Sequence, residues 1–283
     1  MLPLRRDLFK NSFPVSRYSK TGAEAFSRAY YYARNTGCAI LTVHTTVKDA
    51  YDLARKAHME DDFPIYIEAC TEYVTTFKDV YDRDDGYVML VSPPLRSREN
   101  ARYIWAAMED GTITITGTDD TCYSRKDKER RLEKDSDGKF IQDFRKLVNG
   151  NPGMELRLPI LLSEGVNKGR ITMKQLVKLT SSNIAKLYGC YPQKGTIQKG
   201  ADADIAVINR NKAWVVQQDV LHNNLDYCPM AGTRLTGKVD MTICNGKILV
   251  ENDSFCGTRG NGRFVKRSLN PQVLQRFSAL SEM

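Results

Sequence analysis

The sequence predicts an α/β protein, a run of parallel βα units followed by a small antiparallel β layer. Three observations carry this. Between residues 23 and 116, segments with helical apolar spacing alternate three times with short apolar runs. After Gly189 the texture changes to short alternating segments set between glycine turns. Asn245-Gly246, flanked by two such segments, is the strongest short hairpin signal a sequence can carry.

The elements follow in chain order. Residues 23–36 place Phe26, Ala29, Tyr30 and Ala33 at helical spacing, and Gly37 ends the helix. Residues 38–44 form an apolar run that reads as a buried strand ending at His44. Val47, Ala50, Leu53, Ala54 and Ala57 mark one side of a second helix, with His58 expected on the surface at its polar end. Residues 64–69 read as a second strand, 97–110 as a third helix closed by Gly111, and 112–116 as a third strand. In such sheets the chemistry sits at the C-terminal ends of the strands. His44, Glu68 and Asp119 hold those positions.

Residues 125–146 are dense in charge and read as an exposed loop or solvated helix. The cluster 150–153 is a turn. A long helix begins after Thr172, with Thr172 and Gln175 as a capping box, and stops at Gly189. Strands are expected at 203–208, 238–244 and 247–250.

Composition narrows the function. The chain has 283 residues, 41% hydrophobic and 27% charged, which excludes wholesale disorder and coiled coil. No apolar stretch approaches the ~20 residues of a membrane span, and the first residues lack the apolar core of a secretory leader. A cytoplasmic protein without membrane contact is therefore expected. The seven cysteines include no CxxC pair and read as free thiols. The net charge of +8 is interleaved along the chain, apart from a basic tail at Arg259, Arg263, Lys266 and Arg267, so no nucleic-acid partner is expected. Gly257-Thr258-Arg259-Gly260-Asn261-Gly262 follows no strand-to-helix junction and is not read as a phosphate loop. Three histidines, His44, His58 and His222, are the whole supply.

Longer strings then become informative together. The segment 195–208 with Asn245-Gly246-Lys247 resembles the closing β elements of the amidohydrolase superfamily. Ser92-Pro93-Pro94-Leu95-Arg96, Gly117-Thr118-Asp119, the segment 149–157, Leu162-Ser163-Glu164-Gly165 and Gly169-Arg170-Ile171 resemble the dihydropyrimidinase and hydantoinase family. Asp226-Tyr227 and the segment 260–264 continue the resemblance. It covers about nine-tenths of the chain, and the shared order and spacing make it specific.

The resemblance implies a (β/α)₈ barrel joined to a β-sandwich, of which this chain matches the last part. Residues 1–190 are expected to carry the last three strands and helices of the barrel, a partial TIM-type barrel. Residues 191–283 are expected to carry the C-terminal part of the sandwich and the basic tail. The implied reaction is hydrolytic ring opening of cyclic amides or imides by a metal-activated hydroxide, usually on two zinc ions. Of the family's metal donors, a His-x-His pair, a carbamylated lysine, two further histidines and an aspartate, only His44 and Asp119 have matching positions. Asp119 matches the aspartate that also moves the proton. Ser92 and Asn149 match positions that hold the cyclic imide. Asp120 stands where the family usually has His or Gln, and extra negative charge beside the site is expected. The chain is thus expected to lack activity alone and to work as a homo-oligomer, commonly a homotetramer in the family, or with a companion N-terminal chain. The alternative is a non-catalytic scaffold or interaction protein of the same family.

Overall fold

The computed structural model describes residues 8–268 and Val273. Residues 1–7, part of the segment read against a leader, lie outside the described residues. No helix among the described residues is long and apolar enough to cross a membrane.

Two helices open the fold, α1 (Leu8–Ser16) and α2 (Ser19–Thr36), followed by β1 (Ile40–Thr42), α3 (Lys48–Asp61) and β2 (Ile65–Cys70). A short α4 (Glu72–Thr75) and irregular turns lead to α5 (Arg98–Glu109) and β3 (Ile115–Gly117). The three strands form one parallel sheet in the order β1-β2-β3. Central β2 is apolar along nearly its whole length because both faces are covered, and Ile67, Ala69 and Cys70 are fully buried. α3 turns Ala50, Ala54 and Ala57 into the core. α5 starts where the Ser97 hydroxyl accepts the Asn100 N–H, and it buries Ile104, Ala107 and Met108.

The alternation was legible, with two shifts. The first strand is shorter than 38–44 because the backbone turns left-handed at His44, φ 38°. The third strand starts later, at Ile115. His58, expected on the surface, is buried, and its Nε2 lies 3.0 Å from the Ile65 carbonyl oxygen. The helix end packs down onto the start of β2, so the ring closes that corner.

Beyond β3 come α6 (Arg125–Glu129), α7 (Arg157–Ile160) continued by a π-turn (Leu161–Val166), α8 (Met173–Val177) and α9 (Asn183–Leu187), the last two joined by a second π-turn. The capping box at Thr172 and Gln175 is present. The C-terminal part is a four-stranded antiparallel sheet, β4 (Ile205–Val215), β5 (Arg234–Cys244), β6 (Lys247–Glu251) and β7 (Ser254–Phe255). Asn245 and Gly246 join β5 to β6 with φ 50° and 75°, the two positive values a type I′ turn requires. Sheet and helices meet where Gly237 of β5 lies against Leu162. A Cβ at Gly237 would come within 2.4 Å of the leucine side chain. All seven cysteines are free.

Candidate active site

The C-terminal ends of the three parallel strands converge on one carboxylate. Glu68 of β2 accepts the His44 backbone N–H at 3.2 Å on Oε1, and its own carbonyl accepts the Thr45 N–H at 2.9 Å. On its other side lies β3. A Cβ on Gly117 would sit 2.6 Å from the Glu68 carboxyl carbon, so only glycine leaves the room this side chain occupies. Glu68 thus braces the chain leaving β1 against the chain leaving β3. His44 and Asp119 follow at those two exits, both in the left-handed region at φ 38° and 47°. His44 is half-buried and Asp119 is exposed.

Three loops are drawn together over these ends. The Gly150 N–H donates to the Leu90 carbonyl at 2.9 Å, and the Thr121 N–H donates to the Asn151 carbonyl at 2.9 Å. These two bonds tie the segment after Asn149 to the segment before Ser92 on one side and to the segment after Asp119 on the other. Asn149 is exposed, whereas Ser92 is half-buried with its Oγ shielded and without a hydrogen-bond partner. An orphaned buried hydroxyl beside a site is an available donor.

The charge run at 125–131 departs from its expected solvation. α6 is capped by reciprocal Ser124–Asp127 bonds, and it turns Lys128 fully inward. The Lys128 ammonium donates to the Val88 carbonyl at 2.8 Å, the Gly150 carbonyl at 2.6 Å and Asn151 Oδ1 at 3.0 Å. The start of α6 is held from the C-terminal part, where Asp226 accepts the Arg125 N–H at 2.8 Å.

Asp120 has a structural role besides the extra negative charge expected of it. Its carboxylate accepts the Gly153 and Met154 N–H groups at 2.7 and 2.9 Å, capping the turn that leads into α7, and it accepts the Cys122 thiol at 2.9 Å. The backbone donors hold the carboxylate in place, and its charge is still felt at Glu72.

The electrostatics are set by a group of carboxyls. Glu72, at the start of α4, lies near Asp119, Glu68 and Asp120. Burial first, and those negative neighbours next, push its carboxyl up to about 8, although its own helix N-terminus draws it the other way. Arg157 is the counter-cation. It donates to the Thr116 carbonyl of β3 at 2.7 Å and carries its charge toward Glu68. The Cys70 thiol is pushed far up by burial and is inert.

Sequence reasoning located His44, Glu68, Asp119, Ser92 and Asn149 and missed Glu72, Lys128 and Arg157 as members of this region. Glu72 stands four residues past Glu68 and two past the end of the strand, a signal that was available. Lys128 is one of seven consecutive charged residues, and nothing in the run marks the one that turns inward.

Among the described residues no group of three or more His, Cys, Asp or Glu side chains is placed to hold a metal ion. His44 and Asp119 do not close a zinc site by themselves, since stable catalytic zinc takes three protein ligands. His222, the remaining histidine, stands elsewhere, with Nδ1 2.8 Å from Glu155 and Nε2 3.2 Å from the Asp253 carbonyl.

Comparison with known proteins agrees with this architecture. D-phenylhydantoinase of Escherichia coli O139:H28 is 35% identical over 254 residues, which are 89% of this chain and 53% of that protein. The crystal structure of dihydropyrimidinase from Brevibacillus agri NCHU1002 superposes with a TM-score of 0.84 at 33% identity, covering 91% of this chain and 54% of that one. L-hydantoinase (dihydropyrimidinase) from Arthrobacter aurescens gives 0.78 at 32% identity, covering 87% and 52%. The chain spans about half the length of the relatives it matches. Residues 37–249 match the amidohydrolase family, and with the sheet, the loops and the relatives in agreement, the chain belongs to that family.

Proposed function

We propose that this chain provides the C-terminal part of a cyclic amidohydrolase of the dihydropyrimidinase and hydantoinase type, opening the ring of a cyclic amide or imide by hydrolysis. Residues 1–190 would be the closing βα units of a barrel and residues 191–283 the closing part of a β-sandwich. The observation that carries the reading is the convergence of the loops bearing Ser92, Asn149 and Asp119 on the strand ends through the Leu90–Gly150 and Asn151–Thr121 bonds.

The residues divide the work. Backbone groups at Ser92 and Asn149 hold the cyclic imide, which converts a bimolecular encounter into an oriented one. Asp119 is the proton carrier. It stands exposed at the strand end, where it can take a proton from water and pass it to the leaving nitrogen. Arg157 offsets the charge of Glu68 beside it. His44 and Asp119 are two donors toward a zinc centre whose remaining donors come from outside these 283 residues.

The same incompleteness bears on assembly. β1 is an edge of its sheet, and Val43 beyond it is exposed. The C-terminal sheet leaves Val207, Ile248 and Phe255 exposed. Exposed apolar strand edges recruit other chains, so the chain works as a homo-oligomer or with a companion chain.

The test is zinc content and turnover. The purified chain is expected to hold less than one zinc and to leave hydantoin and dihydrouracil intact. Co-expression with the N-terminal half of the matched D-phenylhydantoinase is expected to restore ring opening, and Asp119→Asn to abolish it. Two tightly held zinc ions on the chain alone would overturn the donor assignment. Restored hydrolysis that survives Asp119→Asn would overturn the role of Asp119.

A further inference from the structure

We infer that Lys128 is the positioning residue of the site, a single ammonium that locks together the three loops carrying Ser92, Asn149 and Asp119. The inference rests on the proposed reading of that site for its meaning, and on the hydrogen bonds alone for its existence.

The three acceptors belong to different parts of the site. Val88 lies four residues before Ser92, Gly150 follows Asn149 directly, and Asn151 is the residue whose carbonyl holds Thr121, two residues after Asp119. Lys128 itself belongs to the chain that leaves Asp119. One nitrogen therefore sits where all three segments meet.

The chemistry of the group suits it to this place. An ammonium has three N–H donors, and three oxygens surround it at 2.6–3.0 Å. A neutral amine has two donors and would turn its lone pair toward an oxygen. Burial pushes the amine down to about 7, whereas three oxygens within hydrogen-bonding distance favour the charged form. No carboxylate is among its hydrogen-bond partners, so it is a buried cation satisfied by carbonyl-type oxygens. Placing a charge in a fully buried position is unfavourable unless it is well hydrogen-bonded. A methionine of similar length would fill the space but leave three buried acceptors without a donor.

Amide hydrogen exchange on the full chain, wild type against Lys128→Met, tests the tie without substrate. The amides to follow are Gly150 and Thr121, which bridge the loops, with those of Ile104 and Ala107 in α5 as the control. Removing the donor set should cut protection at the two loop amides by about tenfold or more while the α5 amides stay within about threefold. Lys128→Gln, which keeps two donors, should fall between the two and serves if the methionine variant does not fold. Unchanged protection at Gly150 and Thr121 would overturn the proposal. So would a loss of equal size in α5, because Lys128 would then be an ordinary core residue.

A second arm reads the consequence for catalysis. In the assembly completed by the companion half, Lys128→Met should lower kcat/KM by about tenfold or more, because the segments carrying Ser92, Asn149 and Asp119 are no longer held in register. An inactive wild-type assembly would count against the proposed function, and the exchange result would still decide the tie.

Discussion

Replacing Glu72 by glutamine should raise the stability of the chain at alkaline pH and leave it unchanged in acid. Glu72 lies half-buried beside Asp119, Glu68 and Asp120, and its carboxyl is pushed from an ordinary 4.5 up to about 8. The folded chain keeps this proton where the unfolded chain gives it up. The stability that Glu72 contributes is therefore fully present below about 4.5 and is lost as the pH rises to about 8. At about 1.36 kcal/mol per pKa unit the ceiling is ~5 kcal/mol. The residue is only partly shielded from solvent, so ~2 kcal/mol is the working figure. Glutamine keeps the shape and cannot ionise. Urea unfolding at pH 5.0 and 8.5 measures the effect as a difference between variant and wild type, which cancels the other titrating groups. The variant should gain ~2 kcal/mol over wild type between the two pH values. Parallel pH profiles would refute the reasoning and mean that solvent reaches the carboxyl freely.

Three other outcomes follow from the geometry. Both ring nitrogens of His222 face acceptors, Glu155 and the Asp253 carbonyl, so the imidazolium is the form that satisfies them, and the hydrogen bond with Glu155 raises its pKa. That contribution is present below about 6.5 and is lost as the pH rises through the raised value. His222→Gln should cost about 0.5–1 kcal/mol at pH 6 and less at pH 8.5, read by thermal unfolding at the two pH values. Gly117→Ala should displace the Glu68 carboxyl and cost about 1–3 kcal/mol, with the largest chemical-shift changes in an NMR spectrum at His44 and Thr45. Analytical ultracentrifugation of the chain at micromolar concentration should show self-association, and a compact monomer with strong exchange protection across β1 would count against the exposed-edge argument.

Much of the architecture was legible because burial leaves periodic marks. β2 is covered on both faces and reads as a continuous apolar run. α5 carries its cap at Ser97, and the β5–β6 turn needs two positive φ values and has Asn245 and Gly246 to supply them. The strand ends could be located once the alternation was seen, which brought out His44, Glu68 and Asp119. What escaped were polar groups whose role depends on distant parts of the chain. Lys128 is buried by residues 22 to 40 positions away, and a charge run offers no periodicity that would single it out. The capping role of Asp120 depends on the turn at Gly153 and Met154, 33 and 34 positions along the chain, so its charge was legible and its bonds were not. His58 looked solvent-facing because its burial depends on a carbonyl of the following strand.

The left-handed backbone at His44 and Asp119 has a consequence for anyone engineering this chain. Non-glycine residues pay roughly 1 kcal/mol or more for that conformation, so on the proposed function both positions give up thermodynamic stability to keep a particular side chain. A directed-evolution campaign scored on heat resistance alone should therefore drift toward glycine or asparagine at 44 and 119. Its winners would be sturdier proteins from which the imidazole and carboxylate at the strand exits had been removed.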